Sequence, residues 1–254
     1  MPASSRTALP RRLSYFSLSR APRYSVLFAL PLLAAYETLA ALLAKPGRGE
    51  LRNGADVMLR EAFIAVAGAW GPTIFMGAVI LLGLVLVVRD LRSTRAGIRP
   101  MVFGGMLVES TALAAGFGVV IGVVTAKLLG SLQMLMIGQG SIESMGWPTR
   151  LMLSLGAGLY EELFFRVLLV GGLAMVARAG FGFGTRAAGV FAVIVGALIF
   201  SAFHYVGPFG DPFKLQSFVF RMLSGVAFSG LYLLRGFGVT AWTHALYDSF
   251  LLLL

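Results

Sequence analysis

Apolar residues run along this chain in long unbroken stretches, with polar residues gathered in the gaps between them. A helix crossing a bilayer needs ~20 predominantly apolar residues, with a range of about 17–25. Stretches of that kind occupy residues 24–44, 72–88, 101–126, 151–177, 187–206, 215–234 and 239–254, the last one short. The pattern predicts an all-α fold, a polytopic transmembrane helical bundle of about seven spans, within limits of six and eight. Between the first two spans, residues 55–70 carry Asp56, Arg60 and Glu61 on one side and Phe63, Val66 and Trp70 on another. That segment reads as an interfacial helix, or else as an extra helix entering the membrane. The chain thus divides into a basic leader (1–23), amino-terminal membrane helices (24–150) and a carboxyl-terminal set (151–254).

Composition agrees with lipid as the solvent. Of 254 residues, 58% are hydrophobic and 13% charged, and the mean hydropathy is +0.86. Soluble domains average about 25% charged residues. Cysteine is absent, so neither a disulfide framework nor thiol chemistry enters. The net charge of +10 would suit nucleic acid, but the basic residues sit between apolar runs and read as a topology signal. With the amino terminus inside, the cytoplasmic set is Arg6, Arg11, Arg12, Arg20, Arg23, Arg89, Arg92, Arg95, Arg99, Arg178, Arg186 and Arg235. The opposite set is Lys45, Arg48, Arg52, Arg60, Lys127, Arg150 and Lys214. Twelve against seven favours a cytoplasmic amino terminus. The first apolar run exceeds the 7–15 residues of a signal peptide's core, so a retained anchor is expected. Gly118 and Gly122 form a small-xxx-small pair for helix packing. Gly180–Gly184 (GFGFG) reads as a turn, since a phosphate loop would need a Lys-Ser/Thr ending.

Charges inside the apolar runs change the picture, because each costs roughly 2.5–3.5 kcal/mol on insertion scales. The run "GLYEELFFRVLLV" holds Glu161, Glu162 and Arg166. On a helix Glu162 and Arg166 are four apart, acid first, and can neutralise one another. Glu161 points about 100° away and has no partner in its own helix. The only two histidines, His204 and His244, also fall in apolar runs, and Asp248 follows His244 by one turn. A carboxylate base, an imidazole to share its proton and donors for an oxyanion are the parts a hydrolase needs. Each also has a plainer reading: Glu162 with Arg166 as a structural ion pair, a histidine as a satisfied core residue, Phe200 as packing. Glu37, Glu109 and Arg221 read as groups that lock the bundle, or alternatively as part of a substrate groove. Tyr205 and Tyr247 read as aromatic packing.

Glu161-Glu162-x-x-x-Arg166, Phe200-x-x-x-His204 and His244-x-x-x-Asp248, in this order on successive late helices, resemble the CPBP family. That family comprises the type II CAAX prenyl endopeptidases and their bacteriocin-processing and immunity-associated relatives. The likeness covers roughly residues 155–250; the earlier part is similar only as generic membrane helices. It implies an intramembrane glutamate protease without a cofactor, water being the nucleophile. In it, Glu161 and His204 activate water, His244 and position 248 stabilise the oxyanion, and Glu162 and Arg166 hold the site together. Position 248 is often Asn in the family, whereas this chain has Asp, which donates a hydrogen bond only when protonated. An ionised Asp248 would instead orient His244. Asn53, the only asparagine, lies in an early loop and offers no obvious substitute.

Two rival classes remain beside the protease. One is a zinc-type metallohydrolase using both histidines and a carboxylate, although no His-Glu-x-x-His signature is present. The other is a non-enzymatic transporter, immunity or scaffold protein whose charges form a relay or lock. The expected partners are the bilayer and a membrane-attached or carboxyl-terminally tagged peptide or protein, with no nucleic acid. The richness in Ala, Gly and Arg points to a bacterial inner membrane.

Overall fold

A computed structural model describes residues 14–44, 50–129, 145–207 and 210–251. Arg6, Arg11, Arg12, Lys45 and Arg48 lie outside the described residues. The described chain is helical throughout: α1 (Tyr15–Ser19), α2 (Pro22–Leu43), α3 (Gly54–Ala67), a 3-10 turn (Gly68–Trp70), α4 (Gly71–Thr94) and α5 (Pro100–Leu129). Then follow α6 (Trp147–Gly156), a π-helix (Ala157–Val170), α7 (Gly171–Phe181), α8 (Thr185–Phe203), α9 (Leu215–Arg235) and α10 (Phe237–Leu251).

Six stretches are long and apolar enough to cross a membrane: α2, α3 with α4, α5, α6 through α7, α8 and α9. The seventh expected span is α10, shorter at 15 residues. Its surroundings are those of a buried helix, since seven of the nine residues from Val239 to Tyr247 are buried. The outward surface is apolar instead: Ile80, Leu81, Leu82 and Leu84 of α4 and Val119 and Val120 of α5 are all exposed. A soluble monomer rarely exposes so continuous an apolar face, whereas lipid covers it without cost.

Side-chain contacts fix which helix ends lie together. The Tyr24 hydroxyl in α2 accepts from the Arg99 backbone N–H at 2.8 Å, and Arg23 pairs with Asp90 near the end of α4 at 2.9 Å. Arg235, closing α9, binds Glu109 of α5 at 2.6 Å and the Ser19 hydroxyl at 2.7 Å. Glu109 also accepts from the Tyr15 phenol, whose pKa burial and that hydrogen bond push up, keeping it a neutral donor. The α7–π segment packs antiparallel to α8, with Phe165 against Phe200 at 5.0 Å, and Ser201 of α8 meets Phe218 of α9. The start of α2 and the ends of α4, α7 and α9 therefore gather at one end with the starts of α5, α8 and α10. This basic end holds Arg89, Arg92, Arg95, Arg99, Arg178 and Arg186, all exposed.

The opposite end receives α3, which differs from an amphipathic helix lying flat on the interface. Its polar edge faces inward, and Val66 and Trp70 beyond it are 90% and 72% exposed. Asp56 is fully buried, accepting from Tyr36 at 2.9 Å and pairing with Arg52 and Arg60. Both arginines also reach Glu37 of α2, which accepts from the Tyr160 phenol at 2.9 Å. Glu37 in a membrane span needs cations, and α3 brings them in. The return from α3 to α4 is close: a Cβ on Gly71 would sit 2.6 Å from the Ile64 Cα, so only glycine allows the hairpin. Leu32 and Tyr36 of α2, Ala55 of α3, Phe75 of α4, Met152, Tyr160 and Ala245 then share one buried core.

Candidate active site

The paired glutamates lie in the π-helix, where i→i+5 bonding replaces i→i+4; at its end the Gly171 N–H reaches back to the Arg166 carbonyl. Such wide turns are rare and recur at functional sites. Glu162 and Arg166 still share a face, with Arg166 Nε 3.1 Å from Glu162 Oε2. Both are buried, at 0% exposure. The Arg166 guanidinium lies over the Phe200 ring at 4.5 Å and 5.7 Å from that of Phe228. Charge and ring faces hold it, for its nitrogens make no hydrogen bond of good geometry.

Glu162 has a second partner that its sequence neighbours do not announce. Its Oε1 lies 2.6 Å from His244 Nδ1. Gly158 makes this approach possible, because a Cβ there would run into the Ala241 carbonyl and lie 2.6 Å from the Ala245 Cβ. The backbones of the π-helix and α10 therefore nearly touch one turn from the pair. The other imidazole nitrogen, Nε2, is 3.5 Å from Asp248 Oδ2, too long for a firm hydrogen bond. Phe228 stacks on the ring at 4.5 Å. His244 is buried, while Asp248 keeps a side-chain exposure of 29%.

Glu161 is placed differently. It is only half-buried, and its Oε1 accepts from Asn53 Nδ2 at 2.9 Å. Among the described residues its other oxygen has no hydrogen-bond partner. His244 and His204 both lie within electrostatic reach of this carboxylate. His204 caps the end of α8, half-buried, its Nδ1 2.8 Å from the Phe200 carbonyl. A carbonyl only accepts, so Nδ1 carries the hydrogen and Nε2 is left as the basic nitrogen of the neutral ring. Phe200 thus does more than pack: its carbonyl sets the His204 tautomer, and its ring covers Arg166.

Asn53 is the residue that sequence reading set aside. It is 7% exposed and caps α3, its Oδ1 accepting from the Ala55 N–H. That bond fixes the amide orientation, so the NH2 faces Glu161. The Tyr36 phenol holds its backbone N–H at 3.1 Å. No local pattern could have disclosed a contact across 108 residues. The locking groups fall as expected: Glu37 with Arg52 and Arg60, Glu109 with Arg235, and Arg221 with Asp211. Tyr205 packs on Phe213 and Tyr247 on Phe228. No group of three His, Cys, Asp or Glu side chains is gathered for a metal among the described residues.

A helical bundle of membrane-spanning length, with Glu162, His244 and Asp248 in sequence inside it and Glu161 and His204 within electrostatic reach of one another, defines a class of intramembrane proteins with a polar interior site. Residues 142–250 match the family model described as Rce1-like, the type II CAAX prenyl endopeptidase family, which is the CPBP/CAAX protease resemblance that the three motifs carry. The match implies a protease, a peptide hydrolase of the CAAX type acting in the membrane. No curated protein and no solved structure matches the chain.

Proposed function

We propose that this protein is a glutamate-type intramembrane endopeptidase in which Glu161 is the general base. The carrying observation is the division of labour between adjacent glutamates. Glu162 is sealed and committed to Arg166 and His244, whereas Glu161 is half-exposed with one oxygen uncommitted. In this reading a water bound between Glu161 and His204 loses its proton to the pair as its oxygen attacks the scissile carbonyl carbon. The carbonyl oxygen becomes an oxyanion. His244 donates its Nδ1–H to Glu162, so it is the doubly protonated imidazolium that carries the Nε2–H facing the oxyanion. Collapse of the tetrahedral intermediate breaks the C–N bond, and the stored proton passes to the leaving amine. One product ends in a carboxylate and the other begins with an amine.

In this reading Asp248 acts at the same oxyanion position. At 3.5 Å it is close enough to compete for the Nε2–H when ionised, and protonated it adds a second donor to the oxyanion. The substrate is a membrane-attached or carboxyl-terminally tagged peptide or protein, and the setting a bacterial inner membrane with the amino terminus cytoplasmic. The test is cleavage of a quenched fluorescent peptide library by the purified chain. Glu161→Gln is expected to fold and to abolish cleavage, and a near wild-type rate in that variant removes Glu161 as the base. Activity is expected to survive chelators; loss that zinc restores would favour the metallohydrolase.

A further inference from the structure

We infer that the basic end of the bundle carries a binding site for one anionic phospholipid, in the groove where α1 meets the end of α9. The groove measures about 630 Å³ and is lined by Phe16, Ser17, Arg20, Leu234 and Arg235. It shares no residue with the active site, and it does not depend on the protease reading.

Two guanidiniums define the groove, and they are held differently. Arg235 closes α9 with a side-chain exposure of only 9%. Its Nε and Nη2 donate to Glu109 at 2.6 and 2.7 Å, Nη2 also reaches the Ser19 hydroxyl, and its guanidinium lies over the Phe16 ring at 4.5 Å. It is a fixed wall, its charge offset by Glu109. Arg20 is exposed and makes no ion pair among the described residues. Its Nη2 donates at 3.2 Å to the Leu233 carbonyl, one of the last four of α9, which lack partners within the helix. That bond ties the guanidinium to the groove and leaves its other nitrogens for a ligand. Ser17 is exposed beside it, its backbone N–H held by Ser14 Oγ. Arg20 and Arg235 against Glu109 alone leave one positive charge uncompensated.

The depth of the groove says where the missing anion lies. The 21 residues of α9 rise ~32 Å, so Arg235 stands where the ~30 Å hydrocarbon layer gives way to headgroups. Arg89, Arg92, Arg95, Arg99, Arg178 and Arg186 are exposed at the same end, and such a basic surface gathers anionic lipids. Phe16 and Leu234, 62% and 68% exposed, decide between a lipid and a free phosphate. A small hydrated anion would leave both apolar side chains bare. The glycerol and acyl chain of a lipid would cover them while its phosphate oxygens meet the Arg20 guanidinium and the Ser17 hydroxyl. A choline headgroup would bring a second cation against Arg20, so a headgroup without an ammonium fits. The leader is a poor occupant, since residues 1–13 hold Arg6, Arg11 and Arg12 and no acid.

The test is native mass spectrometry of the delipidated full chain in neutral detergent, titrated with dioleoyl phosphatidylglycerol, dioleoyl phosphatidylcholine or inorganic phosphate. One saturable phosphatidylglycerol is expected, with phosphatidylcholine held ~10-fold more weakly and inorganic phosphate unable to displace it. Arg20→Gln is expected to weaken phosphatidylglycerol on the order of 10-fold, the effect of one charge-assisted hydrogen bond. Arg178→Gln, exposed at the same end but outside the groove, is expected to bind as the wild type does. Leu234→Glu sets an anion on the exposed rim and is expected to weaken binding at least as much, with the melting temperature of the lipid-free chain unchanged. If Arg20→Gln itself melts lower without lipid, Leu234→Glu decides, and wild-type binding in that variant removes the groove. Equal affinity for the two lipids overturns the inference. So does an equal loss in Arg178→Gln, which would mean diffuse attraction to the whole basic end. Displacement by inorganic phosphate would make this a free-anion site and overturn the lipid.

Discussion

Arg166→Ala separates the holding of the site from its chemistry. Removing one partner of a buried ion pair costs about 3–5 kcal/mol, because the survivor is left as an uncompensated charge. Here the survivor, Glu162, keeps His244 at 2.6 Å, which places the loss toward the lower end of that range. The guanidinium also covers Phe200 and approaches Phe228, and such cation–π contacts contribute about 0.5–2 kcal/mol. A total near 3–5 kcal/mol is expected, read as a clear drop in melting temperature in detergent by circular dichroism. The double variant Glu162→Gln with Arg166→Ala discharges the stranded carboxylate. It is expected to recover much of the stability and yet to lose cleavage, because His244 no longer has the anion that holds its Nδ1. Two results refute this reasoning: an unchanged melting temperature in Arg166→Ala, or a double variant no more stable than the single one. Unchanged melting with lost activity would move Arg166 into the chemistry.

Asn53→Ala removes a hydrogen bond to a charged group, worth about 1.5–3 kcal/mol, so kcat is expected to fall ~10–100-fold if that bond persists in the reacting complex. Asn53→Ser keeps an α3 cap but cannot span to Glu161; it is expected to preserve melting temperature without restoring kcat, and equal rescue of both would reduce Asn53 to a cap. Asp248→Ala is expected to slow cleavage on the order of 10²–10³-fold, as loss of an oxyanion donor does, with full activity removing position 248 from the site. Asp248→Asn discriminates between its two forms: a tolerated change means that the aspartate donates as a neutral acid, and a large loss with an altered pH–rate profile means that it acts as an anion on His244.

The apolar runs by themselves determined the helical membrane fold, since each span is stabilised by its own composition in lipid and needs no distant partner to be recognised. They likewise singled out Glu161, Glu162, Arg166, His204, His244 and Asp248, because charge within such a run is costly wherever the chain later goes. The i,i+4 relation of Glu162 and Arg166 is local and survives even the change from α to π winding. What the tertiary structure decided are the partnerships between helices. Glu162 meets His244 across 82 residues only because Gly158 lets two backbones touch, and Asn53 reaches Glu161 only because α3 turns its polar edge inward to Glu37. The depth at which each site residue sits was equally hidden, for it depends on how the described helices alternate and stagger. Hydropathy is a property of a segment, while a hydrogen bond between segments is a property of their packing, and in this protein packing gives the two adjacent glutamates different distant partners, Asn53 and His244.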